Sequence, residues 1–296
     1  MTGRWSLRYA THLGYRSLDA PLFPLSAPTP GPLAQIDLAA ELGFAGVQFA
    51  LARSSSVVEQ IAVGARLRRR RLATGCMLYA PFEVIRTPYL GRPGPAVREE
   101  FSRHLRAAFQ VAGHINSRQV VVLAAADPDI AHGAQVDALV EHLRYAGQLA
   151  HEADVVLELE AIKSVVLPPM ILQRLDDVVE VLQRVGSPHV RLIYDTGHVQ
   201  AIEGDAAAQL HRVFDYMDIL QIADHPGRLE PGSGGIDFES ILTEVARRGF
   251  CGLVELEHGW SERGVEGERR GLESFRELDG RVRRRLAAGQ AIVQRP

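Results

Sequence analysis

The stretch VRLIYDTGH at residues 190–198 is a short apolar run that ends in a carboxylate. The same arrangement recurs in VVLELEAI (155–162), DILQIADH (218–225) and GLVELEH (252–258). Each run is rich in Val, Ile and Leu and has the length of one buried strand. An acidic or amide side chain stands at or near the carboxyl end of every run; these four are Glu160, Asp195, Gln221 and Glu257.

Short apolar runs alternate with longer amphipathic segments along the whole chain. Strands are predicted over 8–14, 45–51, 72–80, 119–126, 155–162, 190–197, 218–224 and 252–258. A helix is predicted after each strand, over 32–44, 56–71, 96–115, 134–153, 170–186, 205–216, 237–250 and 270–289. About eight such βα units predict an α/β fold with a parallel sheet that closes into a (β/α)₈ TIM barrel. An open doubly wound sheet is the alternative, but no G-x-G-x-x-G turn follows the first strand.

The composition is that of a globular protein that works in water. Of 296 residues, 46% are hydrophobic and 23% are charged. We predict a single TIM-barrel domain over residues 1–296, since such barrels use about 250 residues. The net charge of −3 favours neither a nucleic-acid nor a membrane partner.

The cellular compartment is predicted from three features. The amino-terminal segment lacks an apolar signal core, and no run reaches about 18 apolar residues. Cys76 and Cys251 lie in separate apolar runs and are interpreted as buried free thiols of a reducing compartment. These features predict a cytoplasmic protein. The chain is compatible with a homo-oligomer, but the sequence does not decide the oligomeric state.

The four strand-end groups indicate a metal site. They are separated by roughly 26 to 36 residues, about one βα unit each, so they fall on the last four strands. Neighbouring strands lie about 4.8 Å apart, which allows the groups to converge. Buried carboxylates repel one another unless positive charge lies among them. Three carboxylates and one amide oxygen suit Mg²⁺ or Mn²⁺, with Co²⁺ as a substitute, better than zinc. The alternative is four independent barrel residues, each held by hydrogen bonds.

Two more acids share these strands. Glu158 and Glu255 precede Glu160 and Glu257 by two residues, so each pair points to the same side of its strand. We expect the residue nearer the carboxyl end to be the ligand. The other member of each pair should lie deeper in the barrel, bonded to neighbours or to water.

Two loop residues are candidates for substrate contacts. His198 follows Asp195 by three residues and is interpreted as a hydrogen-bond donor to substrate, with a structural loop histidine as the alternative. Arg228 follows the seventh strand and could bind a substrate carboxylate or hydroxyls bidentately, unless it is a surface arginine. The roles of His12, Lys163 and His258 stay open.

Two other motifs have simpler interpretations. The basic run RLRRRR (66–71) is interpreted as the solvated last turn of a helix, which the helix dipole favours. The GSGG segment (232–235) is a weak match to a phosphate-binding turn, and a plain loop fits it equally well.

These residues together resemble the sugar isomerase and epimerase branch of the xylose isomerase-like TIM barrels, and within it the hydroxypyruvate isomerase type. The resemblance is carried by LAAELGFAGVQF (38–49), LEAI (159–162), YDTGHVQAIEGD (194–205), LQIADHPGRLEPGSGGIDF (220–238) and GLVELEH (252–258). It covers most of the chain and is more specific in the second half.

The resemblance implies a role for each candidate. The ligand set would be Glu160, Asp195, Gln221 and Glu257, with Glu160 and Glu257 also acting as the acid/base pair. His198 and Arg228 would contact substrate.

The chain departs from the family at three positions. Gln48 stands where an acid is common, and Gly235 stands where the relatives carry an acid. His258-Gly259-Trp260 replaces an aromatic-Lys-Pro segment. The last two departures are expected to border the pocket, so they leave room for a substrate other than hydroxypyruvate.

The activity implied is that of an intramolecular oxidoreductase. A divalent cation would assist proton transfer through an enediolate in a small α-hydroxy carbonyl compound, such as hydroxypyruvate, tartronate semialdehyde or a short ketose. Alternatives are a dehydratase of a keto-polyol and a non-catalytic sugar-binding barrel. An abasic-site endonuclease is disfavoured, because the site has a single histidine and the chain is acidic.

Overall fold

The fold is a closed barrel of parallel strands. The computed structural model describes residues 5–29, 31–163 and 167–293. Its strands are β1 Tyr9–His12, β2 Gly46–Gln48, β3 Ala73–Thr74, β4 Met77–Leu78, β5 Gln119–Val121, β6 Val156–Leu159, β7 Val190–Asp195, β8 Met217–Ile222 and β9 Leu253–Leu256. Every pairing between them is parallel, in the order β3-β2-β1-β9-β8-β7-β6-β5-β4.

The two ends of this order are halves of one barrel strand. β3 pairs with β2, while β4 pairs with β5, and only Gly75 and Cys76 separate the two halves. The predicted strand 72–80 is therefore interrupted once, and its halves close the sheet on itself. This confirms the predicted (β/α)₈ barrel, with all eight predicted strands present.

The helices form the outer layer of the barrel. They are α1 Pro32–Glu41, α2 Val57–Arg70, α3 Phe82–Ile85, α4 Pro95–Ile115, α5 His132–Glu152, α6 Leu175–Val185, α7 Thr196–Glu203, α8 Ala206–Val213, α9 Phe238–Arg247 and α10 Val265–Val293. Within the described ranges, no helix combines the length and apolar character needed to cross a bilayer.

Three details differ from the sequence expectations. The helix predicted over 170–186 begins only at Leu175, because Met170 instead pairs with Ala125 in an isolated bridge. Helices α3 and α7 were not predicted. The thiol of Cys251 is exposed rather than buried, since the residue lies in the turn between α9 and β9.

The basic run at residues 66–71 ends a helix, as expected. Helix α2 stops at Arg70, and Arg71 adopts a left-handed conformation with φ of 57°. Arg66 and Arg70 form ion pairs with Asp37 of α1. This run therefore ties two neighbouring helices of the outer layer together.

Helices α2 and α4 approach each other closely at Gly64. A Cβ atom there would lie 2.0 Å from the carbonyl oxygen of His114. We predict that Gly64→Ala lowers the free energy of unfolding by about 1–3 kcal/mol, because the helices must move apart. Urea denaturation measures the change. As a matched control, Gly113→Ala should cause no loss, since no atom lies within 4 Å of its Cβ position. A Gly64→Ala variant as stable as the wild type would contradict this packing.

Candidate functional site

The strand-end residues of the second half converge at the carboxyl end of the barrel. Asp195, the last residue of β7, lies in register with Gln221 of β8. Gln221 lies in register with Glu255 of β9. Glu160 and Glu257 follow the ends of β6 and β9. The parallel register thus places Asp195, Gln221 and Glu255 in one layer of the barrel mouth. Glu257, two residues beyond Glu255, lies in the next layer toward the opening.

Three of the titratable groups form a compact cluster. Ligand atoms of Glu160, Asp195 and His198 all lie within 4.8 Å of one another. The Nε2 atom of His198 lies 3.9 Å from Oε1 of Glu160. That carboxylate oxygen is buried and has no hydrogen-bond partner among the described residues. A buried oxygen without a donor is the kind of atom that a cation would satisfy.

Asp195 has a structural role as well as a position in the cluster. Its Oδ1 accepts a hydrogen bond from the backbone N–H of His198 at 2.9 Å and so caps helix α7. His198 consequently stands in the first turn of a helix rather than in a loop. The helix start holds both residues at the barrel mouth.

Arg228 reaches into the cluster from the loop after β8. Its guanidinium donates to both oxygens of Asp195, at 3.1 and 2.8 Å, and to Oε2 of Glu257 at 2.5 Å. It also lies over the ring of Tyr15, with Cζ 5.5 Å from the ring centre. The backbone φ of Arg228 is 53°, in the left-handed region. The side chain predicted to bind substrate therefore bridges two of the predicted ligands.

The acids of the cluster titrate differently because Arg228 contacts only two of them. Burial, together with the nearby Asp195 and Glu257, raises the pKa of Glu160 well above its usual range. Burial also raises the pKa of Glu257 to about 7, although Arg228 acts in the opposite direction. For Asp195 the guanidinium outweighs burial, so the pKa of that carboxyl is lowered.

Two glutamines contact Glu257, Gln221 from the adjoining strand β8 and Gln48 from β2 on the far side of β1. The side-chain amide of Gln48 donates to Oε1 of Glu257 at 2.8 Å, and that of Gln221 donates to the same oxygen at 3.2 Å. The carbonyl oxygens of both amides are buried and have no hydrogen-bond partner in the described part of the chain. Gln48 was noted in the sequence only as a departure at a strand end, and its contact with Glu257 was not predicted.

The two deeper acids lie where the alternation along the strands placed them. Glu158 and Glu255 are fully buried. Glu255 accepts hydrogen bonds from the backbone of Cys76 and from Gln221, at 2.9 and 3.0 Å. Glu158 accepts one long hydrogen bond, from Gln119 at 3.4 Å. Burial raises the pKa of both carboxyls.

The two histidines left open by the sequence are buried beside the site. His12 accepts a hydrogen bond from the backbone N–H of Gly14 through Nδ1, which leaves Nε2 to donate to the carbonyl of His258. Burial lowers the pKa of His12 to about 3 and that of His258 to about 4. Burial also lowers the pKa of His198 to about 4. All three rings are therefore neutral at pH 7.

The GSGG segment folds around an internal carboxylate. Asp224, at the end of β8, accepts hydrogen bonds from the backbone N–H groups of Gly232, Gly234 and Ile236, at 2.9, 2.8 and 3.1 Å. The N–H groups of Ser233 and Gly235 donate to backbone carbonyls. All five amides between residues 232 and 236 are thus engaged within the protein.

A cavity of about 540 Å³ opens above the cluster. Glu160, Glu257, His198 and Arg228 contribute to its polar side. The opposite wall is apolar and comprises Ala50, Leu78, Phe82, Leu123, Ile162 and Leu167. Lys163 also lines the cavity, and its ammonium group donates to the carbonyl of Ala201 at 3.0 Å. The cavity therefore offers a small polar molecule both charged partners and an apolar face.

The residues present fit a hard divalent cation. The set supplies three carboxylates and an amide, which are the oxygen donors that Mg²⁺ and Mn²⁺ prefer. Two of its oxygens, one each on Glu160 and Gln221, are buried without a hydrogen-bond donor among the described residues. His198 lies in the same cluster and could offer a neutral nitrogen.

Comparison with known proteins identifies the family. The sequence pattern of the xylose isomerase-like TIM barrel family matches residues 36–278. The chain belongs to this family, and the resemblance stated from the sequence is confirmed.

One curated relative is the hydroxypyruvate isomerase of Escherichia coli strain K12. It is 29% identical over 165 residues, which are 55% of this chain and 64% of that protein. The chain thus spans less than two thirds of the length of this relative.

Solved structures with the same fold carry different names. A protein described as AP endonuclease, family 2 from Brucella melitensis superposes with a TM-score of 0.74 at 20% identity, covering 88% of this chain and 96% of that one. An L-ribulose 3-epimerase also gives a TM-score of 0.74, at 17% identity, covering 98% of this chain and 100% of that one. At these identities the likeness shows the fold alone.

Arg228 is the cationic partner of two buried carboxylates, so its removal should be costly. We predict that Arg228→Met lowers the free energy of unfolding by about 3–5 kcal/mol when the protein is kept in a chelator, because Asp195 and Glu257 lose their counter-ion. Chemical denaturation provides the measurement. Arg212→Met is the control: its ion pair with Asp176 is exposed and should contribute about 0–1 kcal/mol. Equal losses in the two variants would contradict the proposed balance of charge.

Proposed function

We propose that this protein is a divalent-metal-dependent isomerase or epimerase of a small α-hydroxy carbonyl compound, such as hydroxypyruvate, tartronate semialdehyde or a short ketose. The observation that carries the proposal is that Glu160 and Glu257, both with raised pKa values, line one cavity together with Arg228 and His198. The relative named hydroxypyruvate isomerase and the fold shared with a sugar epimerase support this class of reaction.

We assign the ligand set to Glu160, Asp195, Gln221 and Glu257, with Mg²⁺ or Mn²⁺ as the cation. When bound, such a cation stabilises negative charge that develops on the neighbouring carbonyl and hydroxyl oxygens of a substrate. We assign His198 to substrate binding because its neutral ring lines the cavity beside Glu160. Arg228 is assigned to the same role, since it lines the cavity and a guanidinium can bind oxygen anions.

The proton transfer needs two groups that both accept and release a proton near neutral pH. One glutamate removes the proton from the carbon that bears the hydroxyl group, and the electron pair left behind forms an enediolate. The other glutamate returns a proton to the neighbouring carbon in an isomerisation, while the hydroxyl proton passes to the former carbonyl oxygen. In an epimerisation it returns the proton to the opposite face of the same carbon, and the carbonyl group forms again. A carboxyl whose pKa is near 7, as that of Glu257 is, suits such a role.

The endonuclease activity carried by one neighbour's name is not our proposal. The group of candidate ligands found among the described residues contains two carboxylates and a single histidine. A zinc site prefers nitrogen and sulfur ligands, whereas this set is rich in oxygen.

The proposed function can be tested by a substrate screen. The protein is supplied with Mn²⁺ or Mg²⁺ and offered C3 to C6 ketoses, aldoses and keto acids in D₂O. The proposal expects one product of unchanged atomic composition, with solvent deuterium at the exchanging carbon by NMR. A product lighter by one water would indicate a dehydratase instead. Tight sugar binding without turnover or metal would indicate a binding protein.

Replacing one of the two acid/base groups should abolish most of the turnover. We predict that Glu160→Gln lowers kcat by at least about 100-fold, because it removes a base and a ligand charge together. Glu158→Gln on the same side of the same strand is the control and should retain most activity, since Glu158 does not line the cavity. Turnover of Glu160→Gln close to that of the wild type would refute the assignment.

Metal binding should depend on pH with a defined sign. The pKa of Glu257 is raised to about 7 in the metal-free site, so the group is protonated below that pH and must lose the proton to bind a cation. We predict that the affinity for Mn²⁺ falls as the pH is lowered below 7, by up to about tenfold per pH unit for Glu257 alone and more steeply where Glu160 must also lose a proton. Titration calorimetry between pH 5.5 and 8 measures this trend. An affinity that is constant over this range would contradict a role for Glu257 as a ligand.

A further inference from the structure

The reaction proposed above makes no use of Glu255, although this carboxylate lies directly beneath the site. It belongs to β9, two residues before Glu257, and is fully buried. Its hydrogen bonds from the described residues come from neutral donors: the backbone and thiol of Cys76 and the side-chain amides of Gln221 and Gln48. Burying a carboxylate among neutral donors is costly.

Glu255 holds the side-chain amide of Gln221. The two hydrogens on Nε2 of Gln221 point to two carboxylates, Oε2 of Glu255 at 3.0 Å and Oε1 of Glu257 at 3.2 Å. Turning the amide over would bring its carbonyl oxygen against these two oxygens, which repel it. The carbonyl oxygen of Gln221 is therefore left on the other side, buried and with no partner among the described residues.

The carboxylate itself is held by the broken third strand of the barrel. Gln221 and Glu255 are opposite each other in the register of β8 and β9. Oε1 of Glu255 accepts the backbone N–H of Cys76, 2.9 Å away in the gap between β3 and β4. A Cβ atom on Gly75 would lie 2.1 Å from that same oxygen, so the absence of a side chain there makes room for the carboxylate.

We infer that Glu255 is a positioning residue, which fixes the amide of Gln221 so that its nitrogen faces the carboxylates of Glu255 and Glu257 and its carbonyl oxygen stays free of donors to serve as a ligand. The inference rests on the proposed function, because it takes Gln221 as a ligand. An amide nitrogen carrying two hydrogens is no ligand for a hard cation, so the orientation decides whether Gln221 contributes at all.

The test is the affinity of the chelator-stripped protein for Mn²⁺, followed by calorimetry or by the EPR signal of free Mn²⁺. We expect Glu255→Gln to raise the Kd by about 10- to 100-fold, the usual range for loss of a group that orients a ligand. Gln has one oxygen where Glu255 uses two, so its NH₂ group must face either the backbone N–H of Cys76 or the amide nitrogen of Gln221. The second arrangement favours a flipped Gln221.

A matched control uses the other deep carboxylate. Glu158→Gln makes the same chemical change in a residue that is equally buried, and the partner of Glu158 at hydrogen-bond distance is Gln119, which is not a proposed ligand. Its Kd for Mn²⁺ should stay within about twofold of the wild-type value. An equal loss of Mn²⁺ affinity in both variants would overturn the inference, because removal of any buried negative charge would then account for the effect of Glu255→Gln.

A double-mutant cycle separates positioning from general damage to the barrel. Gln221→Ala removes the ligand, and in that background Glu255→Gln should cause no further loss of affinity. The same fold-loss in both backgrounds, or a Glu255→Gln variant with unchanged Kd, would overturn the inference while leaving the proposed function intact. An unchanged Kd for Gln221→Ala alone would overturn the ligand set and the inference with it.

If Glu255→Gln does not fold, as judged by circular dichroism, Glu255→Asp takes its place. This variant keeps the charge but withdraws the carboxylate from Gln221. Its Kd for Mn²⁺ then supports or overturns the inference by the same criteria.

Discussion

The mutual repulsion of carboxylates held out of water governs the carboxyl end of this barrel. Glu160, Asp195 and Glu257 are gathered there by the parallel strands, with little solvent to screen them. Arg228 offsets part of this charge by contacting Asp195 and Glu257. No cation of the described residues contacts Glu160 in this way, and burial, together with the nearby Asp195 and Glu257, raises its pKa. The neighbouring glutamine amides are oriented by the same carboxylates, so the charge also determines the hydrogen-bond pattern around it.

The fold could be predicted because its signal is local. A buried strand needs a short apolar run, and each of the eight predicted runs contains an observed strand or, for the third, two short strands. The start of α6 was placed too early because Met170 continues an apolar pattern, although a bridge to Ala125 decides its conformation. Helix α7 was missed because its cap, Asp195, was interpreted only as a ligand.

The site could be predicted in part, for a physical reason. Strand parity placed Glu160 and Glu257 above Glu158 and Glu255, since alternation is a property of any extended chain. The contacts of Arg228 could not be predicted from strand alternation, because a long side chain on a loop can point in many directions. The hydrogen bonds from Gln48 to Glu257 and from the backbone of Cys76 to Glu255 join residues more than 170 positions apart in sequence, and no spacing rule relates them.

The loop that contains GSGG has a consequence for the kind of small molecule that this barrel can bind. In many barrels of this architecture, the turns after the last strands offer free backbone N–H groups to a phosphoryl group. Here Asp224 and nearby carbonyls already engage the amides of residues 232–236. The protein's own acid acts as the resident anion of that turn, so a phosphorylated metabolite would find no unoccupied donor there and would meet a negative charge instead.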